Sequence, residues 1–190
     1  MTLLITACAG PPLRFYTLGR ARATDYSLPL SRQAPAIEVD RLILPNYLDS
    51  QDILLRNDSS LEASSTGRWV TRLSLLATDL VTSRLAMRVP ADLVTDQARV
   101  EAPQYRIVVH VARLDIARNG HASMDADWQI IAGDRETART EGRAQIRLTG
   151  STATDRDVVQ LETIMFERLA DAIHLPSVLN RDGVSSAAAR

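Results

Sequence analysis

Apolar and polar positions change period several times along this chain, and each change marks an element. Phe15-Tyr16-Thr17-Leu18 is a run of high β-propensity and predicts a first strand over 15–18. A second strand is expected over 36–44, where Ile37 and Val39 alternate before the consecutive Leu42, Ile43 and Leu44. That second half is either buried on both faces or bulged. A short strand over 52–56 follows. Trp69, Leu73, Leu76 and Leu80 then recur at four-, three- and four-residue steps, which predicts a helix over 68–87. Ser64, Ser65 or Thr66 is available as its N-cap, with Pro90 as a stop signal beyond its end.

From residue 104 the period returns to two. Tyr105, Ile107, Val109 and Val111 share a face opposite Arg106, Val108 and His110. Asn119-Gly120 predicts a type I′ hairpin turn leading into a strand over 122–131, on which Met124, Ala126, Trp128 and Ile130 share a face. A third strand over 143–149 alternates Ala144, Ile146 and Leu148 with Arg143, Gln145 and Arg147, completing an antiparallel meander. Val158, Leu161, Met165, Leu169 and Ala172 mark a last amphipathic helix, capped by Thr154 or Asp155 and stopped before Pro176. The fold class these elements predict is α/β, a mixed sheet with a C-terminal antiparallel meander and two long amphipathic helices packed on it.

The stretches between are of different character. Residues 9–14 contain Gly10, Pro11 and Pro12 and read as a tether; 19–35 lack periodicity and read as a surface connection. Residues 185–190 are small and polar enough for a disordered tail. The organisation expected is an N-terminal segment over 1–14, one domain over 15–176 and a flexible tail over 177–190. At 190 residues the chain is long enough for one domain with a real core.

Composition narrows the function. A net charge of -1 gives no electrostatic footprint for nucleic acid phosphates, so nucleic acid is not expected as a partner. All basic residues are arginine, scattered rather than grouped, which reads as coding bias more than as a phosphate-binding cluster. No nucleophile elbow, phosphate-cradling Gly-rich loop, His-Glu-x-x-His or paired-cysteine motif is present, so no catalytic residue, metal or cofactor is expected. His110, His121 and His174 do not stand at metal-ligand spacing, and His174 suits a helix C-terminus. Asp125 and Asp127 share a strand face, where exposed acids serve solvation. Trp69 and Trp128 each have a packing role and a contact role open to them, with core packing the commoner fate of an indole on an apolar face.

The lone cysteine, Cys8, closes the apolar run Leu4-Ile5-Thr6-Ala7, like the end of a secretory signal peptide before a small-residue cleavage site. It resembles the lipobox of bacterial lipoproteins; the other reading is a buried or incidental thiol. Only seven residues precede it and none is basic, so the lipobox reading implies a start upstream of Met1. Cys8 and its Pro-Pro tether, followed by Arg14-Phe15-Tyr16-Thr17-Leu18, resemble the ABC-type transport auxiliary lipoprotein component family (PqiC/YmbA-like). Leu44-Pro45, Asn46-Tyr47-Leu48-Asp49, Arg68-Trp69 and Asp127-Trp128 then follow in that family's order.

The resemblance implies a fold distantly like the N-terminal domain of TolB. It implies lipidation at Cys8 and, because Ala9 rather than aspartate follows, retention at the periplasmic face of the outer membrane. It further implies a non-enzymatic subunit of an MCE-type system moving lipids or other apolar solutes between membranes. Such a subunit docks a tunnel-forming MCE-domain partner and can form a homo-oligomeric ring. Phe15, Tyr16, Leu18, Trp69 and Trp128 are the candidate partner- or ligand-contacting side chains. Two rivals are a soluble periplasmic binding or chaperone-like module for small apolar ligands, and a hydrolase assembled from Ser74, His110 and Asp127.

Overall fold

The described residues form eight strands and two helices. In chain order they are β1 (Arg14–Tyr16), β2 (Ala36–Val39), β3 (Asp52–Asn57), β4 (Ser60–Trp69), α1 (Leu73–Arg88), β5 (Leu93–Thr95), β6 (Tyr105–Ile116), β7 (His121–Ala132), β8 (Arg135–Thr149) and α2 (Asp155–Ala172). The structure, a computed structural model, describes residues 12–19, 34–98, 102–133 and 135–175. Cys8, most of the predicted connection over 19–35, and the tail from residue 176 lie outside the described residues.

The strands form two mixed sheets, a three-stranded one in the order β1-β4-β3 and a five-stranded one in the order β5-β2-β6-β7-β8. The predicted meander is β6-β7-β8, antiparallel throughout, while β2 runs parallel to both of its neighbours. Ile107, Val109, Met124, Ala126 and Ile130 turn the inner face of the large sheet toward the core. Its outer face carries exposed Arg106, His110, Arg143, Gln145 and Arg147. One face is therefore packed and the other open to water, as alternation at these strands requires.

Four expectations change in the folded chain. The helix predicted over 68–87 begins only at Leu73, and the stretch assigned to its caps is β4. Ser64, Ser65 and Thr66 look like capping residues locally. Residues 60–69 instead bond to β3 on one side and to β1 on the other, and these ladders outweigh a local preference. Arg68-Trp69 thus ends a strand instead of opening a helix. At Asn119-Gly120 only Gly120 has a positive φ, 86°, whereas a type I′ turn needs two such residues. Gly120 N–H donates to Ala117 O at 2.9 Å and Ala117 N–H to His121 O at 2.8 Å, closing a three-residue loop with a left-handed glycine. Third, the run over 36–44 breaks after Val39 and touches β6 again at Ile43, with Leu42 and Leu44 buried and Ile43 half-exposed between them. The bulged alternative is the one realised. Finally, β8 starts at Arg135 instead of 143, because β7 pairs with it along its length although its first half lacks apolar alternation.

The N-terminus of α1 is capped from a distance. Arg72 stands at its N-cap position without a side-chain bond, and Asp49 instead accepts from Ser74 N–H at 3.3 Å. Burial pushes the Asp49 carboxyl up, but bonds from Ser74 and the charges of Arg41 and Arg72 outweigh this and hold it below the usual range. The Asn46-to-Asp49 motif therefore has a folding role. For α2 the sequence expectation holds: Thr154 caps it in a reciprocal box with Asp157. At its other end Arg88 of α1 donates to the Ala170 and Ile173 carbonyls at 2.7 and 2.9 Å, and His174 Nδ1 lies 2.6 Å from the Ala172 carbonyl. Arg84 clamps the two helices together through a bidentate pair with Asp171, both bonds 2.9 Å.

The two sheets meet at a buried charge. Asp115 on β6 is 7% exposed and accepts from Arg56 of β3 at 2.6 Å and from Arg113 at 2.5 Å. Beside it, Arg118 N–H donates to Arg56 O at 3.1 Å and Arg56 bridges Ala117 in parallel register. Burial raises the Asp115 carboxyl, but the two guanidinium groups more than reverse this and hold it below its ordinary range. Asp115→Ala would strand two arginines at the joint. It is expected to lower stability by about 2 kcal/mol, read as a lower urea midpoint, with less loss in Asp115→Asn.

Candidate membrane- and partner-facing site

The predicted contact residues divide by burial. Leu18 and Trp128 are buried and Trp69 is fully enclosed, so all three pack in the core. Trp128 lies over Gly142 of β8, where a Cβ would sit 2.3 Å from the indole Cζ2. The glycine is what lets the ring lie flat on the neighbouring strand. Tyr16 is partly buried against the core, and Phe15 is 64% exposed. Of the five, Phe15 and the outer part of Tyr16 are open to a partner.

Both lie on β1, the edge of the three-stranded sheet. Among the described residues β1 pairs only with β4, setting Arg14 opposite Gly67, Phe15 opposite Arg68 and Tyr16 opposite Trp69. Gly67 also lets the start of α2 come close, since a Cβ there would be 2.6 Å from Asp155 Oδ2. Thr66 hydroxyl donates to the same oxygen at 2.7 Å, fixing the helix start over the strand. Between β1, β4 and that helix start runs an open groove of about 760 Å³ with Arg14, Tyr16, Arg118 and Arg156 in its walls. Its other lining is largely Ser, Thr and Ala with the acids Glu62 and Asp155, so the groove is open and charged, with three arginines against two carboxylates, and unlike an enclosed apolar ligand cavity. Asp157, in the first turn of α2, is held below the ordinary carboxyl range by bonds from Ser151 and Thr154.

The residues of the hydrolase rival are not brought together as a triad. His110 Nδ1 lies 3.3 Å from Asp127 Oδ1 on the open face of the large sheet, each about half exposed. Ser74 is buried in α1 and its hydroxyl accepts from Arg41 at 2.8 and 2.6 Å. The Ser74 side chain is thus engaged by Arg41 and Asp49, and no hydrogen bond joins it to His110 among the described residues. Among the described residues no group of three His, Cys, Asp or Glu side chains could hold a metal ion. Among them, too, no helix is long and apolar enough to cross a membrane.

One titratable group escaped the sequence reading. Glu162 sits on the buried face of α2, 4% exposed, and its Oε2 has no hydrogen-bond partner among the described residues. Burial raises its pKa to about 8. Its place was legible, four residues after Val158 and three before Met165 within the apolar stripe. The sign of the effect follows from linkage: the unfolded chain ionises Glu162 near 4.5 while the folded chain keeps it protonated to about 8. Stability due to this group is thus full below 4.5 and falls as pH rises through that window. Glu162→Gln is expected to flatten the decline, gaining on the order of 3 kcal/mol near neutral pH relative to wild type, measured by urea unfolding from pH 5 to 8.

Comparison with known proteins places this geometry. The sequence profile of the ABC-type transport auxiliary lipoprotein component family matches residues 16–174. A Xanthomonas campestris protein of the DUF330 family superposes with a TM-score of 0.61 at 13% identity, covering 83% of this chain and 90% of its own. An uncharacterised protein of known crystal structure superposes with a TM-score of 0.67 at 13% identity, covering 84% of this chain and 95% of its own. At these identities the likeness concerns the fold. A PelC dodecamer from Paraburkholderia phytofirmans superposes with a TM-score of 0.45 at 12% identity, covering 77% of this chain and 94% of its own. Among curated proteins none matches the chain.

Proposed function

The chain belongs to the ABC-type transport auxiliary lipoprotein component family, and from that premise we propose that it is a non-enzymatic, lipid-anchored subunit of a transport system spanning the bacterial envelope. The observation carrying this reading is the family match, which extends from β1 to the end of α2. The thiol of Cys8 receives the acyl chains that hold the domain at the periplasmic face of the outer membrane. The domain over 15–176 docks an MCE-domain partner whose tunnel carries lipid or another apolar cargo. The segment over 1–14 supplies signal and tether. Closed cyclic assembly would suit a collar around such a tunnel.

Strand addition is the physical means of docking that the fold offers most openly. β8 is an outermost strand of 15 residues, with no strand on its far side among the described residues. Its free N–H and C=O groups can take up an extended partner segment, and Arg143, Gln145 and Arg147 on its wet face can add selectivity. The binding-module alternative is less well supported, since the groove at β1 is open and charged and does not resemble a cavity for apolar ligands.

Two tests separate the parts of this reading. Expressed with its upstream sequence, the protein is expected to gain the mass of diacylglyceryl and acyl groups on a chain beginning at Cys8. Cys8→Ser is expected to move it from washed membranes to the soluble fraction, because several acyl chains hold a protein where weaker contacts do not. Intact mass and fractionation at physiological salt decide this, and an unmodified soluble wild type would remove the anchor. For docking, a proline at Gln145 in β8 is expected to weaken co-purification of the MCE-domain partner at least tenfold while leaving acylation unchanged. Equal recovery would exclude that edge.

A further inference from the structure

We propose that the exposed patch of Leu13, Arg14, Phe15 and Arg156 seats the domain directly on an anionic phospholipid leaflet, fixing its orientation at the membrane. Leu13 stands just before β1 and Phe15 at its centre, with Arg14 between them. Leu13 and Phe15 are 48% and 64% exposed, which is uncovered apolar surface with a polar surround. Arg14 lines an opening at the free edge of β1 together with Phe15 and Arg156. Neither Arg14 nor Arg156 forms a salt bridge among the described residues, and the charge of Arg156 helps hold the Asp157 carboxyl below its ordinary range. The opening itself is lined by Arg14, Phe15, Tyr16, Thr17 and Arg156, with no acid among them, while Glu62 and Asp155 lie in the adjoining groove, Glu62 paired with Arg118. The free charge here is therefore cationic and complements phosphate.

Position in the chain supplies the membrane as occupant. The inference rests on the proposed acylation of Cys8, five residues before Leu13. Five extended residues reach at most about 18 Å, so acylation at Cys8 keeps Leu13 within that distance of the leaflet and the patch within reach of its headgroups. Apolar side chains at that depth enter the headgroup boundary while arginines pair with phosphates beside them. The acyl chains hold the protein and the patch sets which way it faces.

The test uses the full chain carrying Cys8→Ser, so that no acyl chain contributes, with phosphatidylcholine vesicles made with and without phosphatidylglycerol. At low salt the protein is expected to co-sediment with the anionic vesicles, to bind neutral ones more weakly, and to be released at physiological salt. Leu13→Ser with Phe15→Ser is expected to weaken binding on the order of tenfold. Arg14→Gln with Arg156→Gln is expected to weaken it on the order of tenfold and flatten its salt dependence. All four side chains are exposed, and a thermal melt of each variant checks that the fold is kept. No binding at low salt, or binding that neither pair weakens, overturns the patch. Intact mass of the wild type reports on acylation separately: an acylated wild type with an indifferent Cys8→Ser chain sinks the patch alone, and an unacylated wild type with binding intact sinks the anchor alone.

Discussion

The joint between the two sheets is the constraint on which the rest of the molecule depends. A three-stranded sheet this small, with one strand of three residues, has little core of its own. It is held to the larger sheet where Arg56 and Arg113 converge on Asp115 and where Arg56 and Ala117 bridge. A carboxylate so buried is tolerated because both of its neighbours are guanidinium groups with donors in a fixed fork. The geometry carries forward: β3 places β4, β4 places β1, and β1 carries the exposed Phe15.

That chain of placement explains why the site is built from unremarkable residues. Gly67 gives α2 room to start over β4, Thr66 fixes Asp155, and the capping box closes the helix beside the groove. The cationic character of the opening then follows from which arginines remain uncommitted. Arg118 is taken by Glu62, Arg84 by Asp171 and Arg56 by Asp115, whereas Arg14 and Arg156 are not so bound. Scattered arginines in the sequence thus become a mixture of structural clamps and free charges, a distinction that linear position does not make.

The tryptophans teach a similar lesson. Trp69 and Trp128 stand in motifs that carry the family resemblance, yet one is enclosed at the end of β4 and the other lies on Gly142. Their place in the pattern is accounted for by packing. Asp49 is the converse case, a polar residue in a motif whose work is to cap α1 by accepting from an amide 25 residues downstream of it, in place of that helix's own N-cap residue.

The sequence by itself determined the elements with strong local periodicity. The β6-β7 core face, the Ala144-Ile146-Leu148 alternation and the α2 stripe with its Thr154 cap are dictated by side-chain period and short-range capping, which a linear pattern records. The absence of catalytic motifs and the resemblance through Cys8, Tyr16 and the later dipeptides were also legible there. Only the tertiary structure decided that 60–69 is a strand, that β8 reaches back to Arg135, that Gly120 alone turns the hairpin, and which arginines are left free. Ladder hydrogen bonds and ion pairs join residues far apart in the chain, so their energies are invisible to any window that reads neighbours alone. Glu162 falls between the two: its position in the apolar stripe was written in the sequence, but its lack of a partner depends on what the fold packs around it.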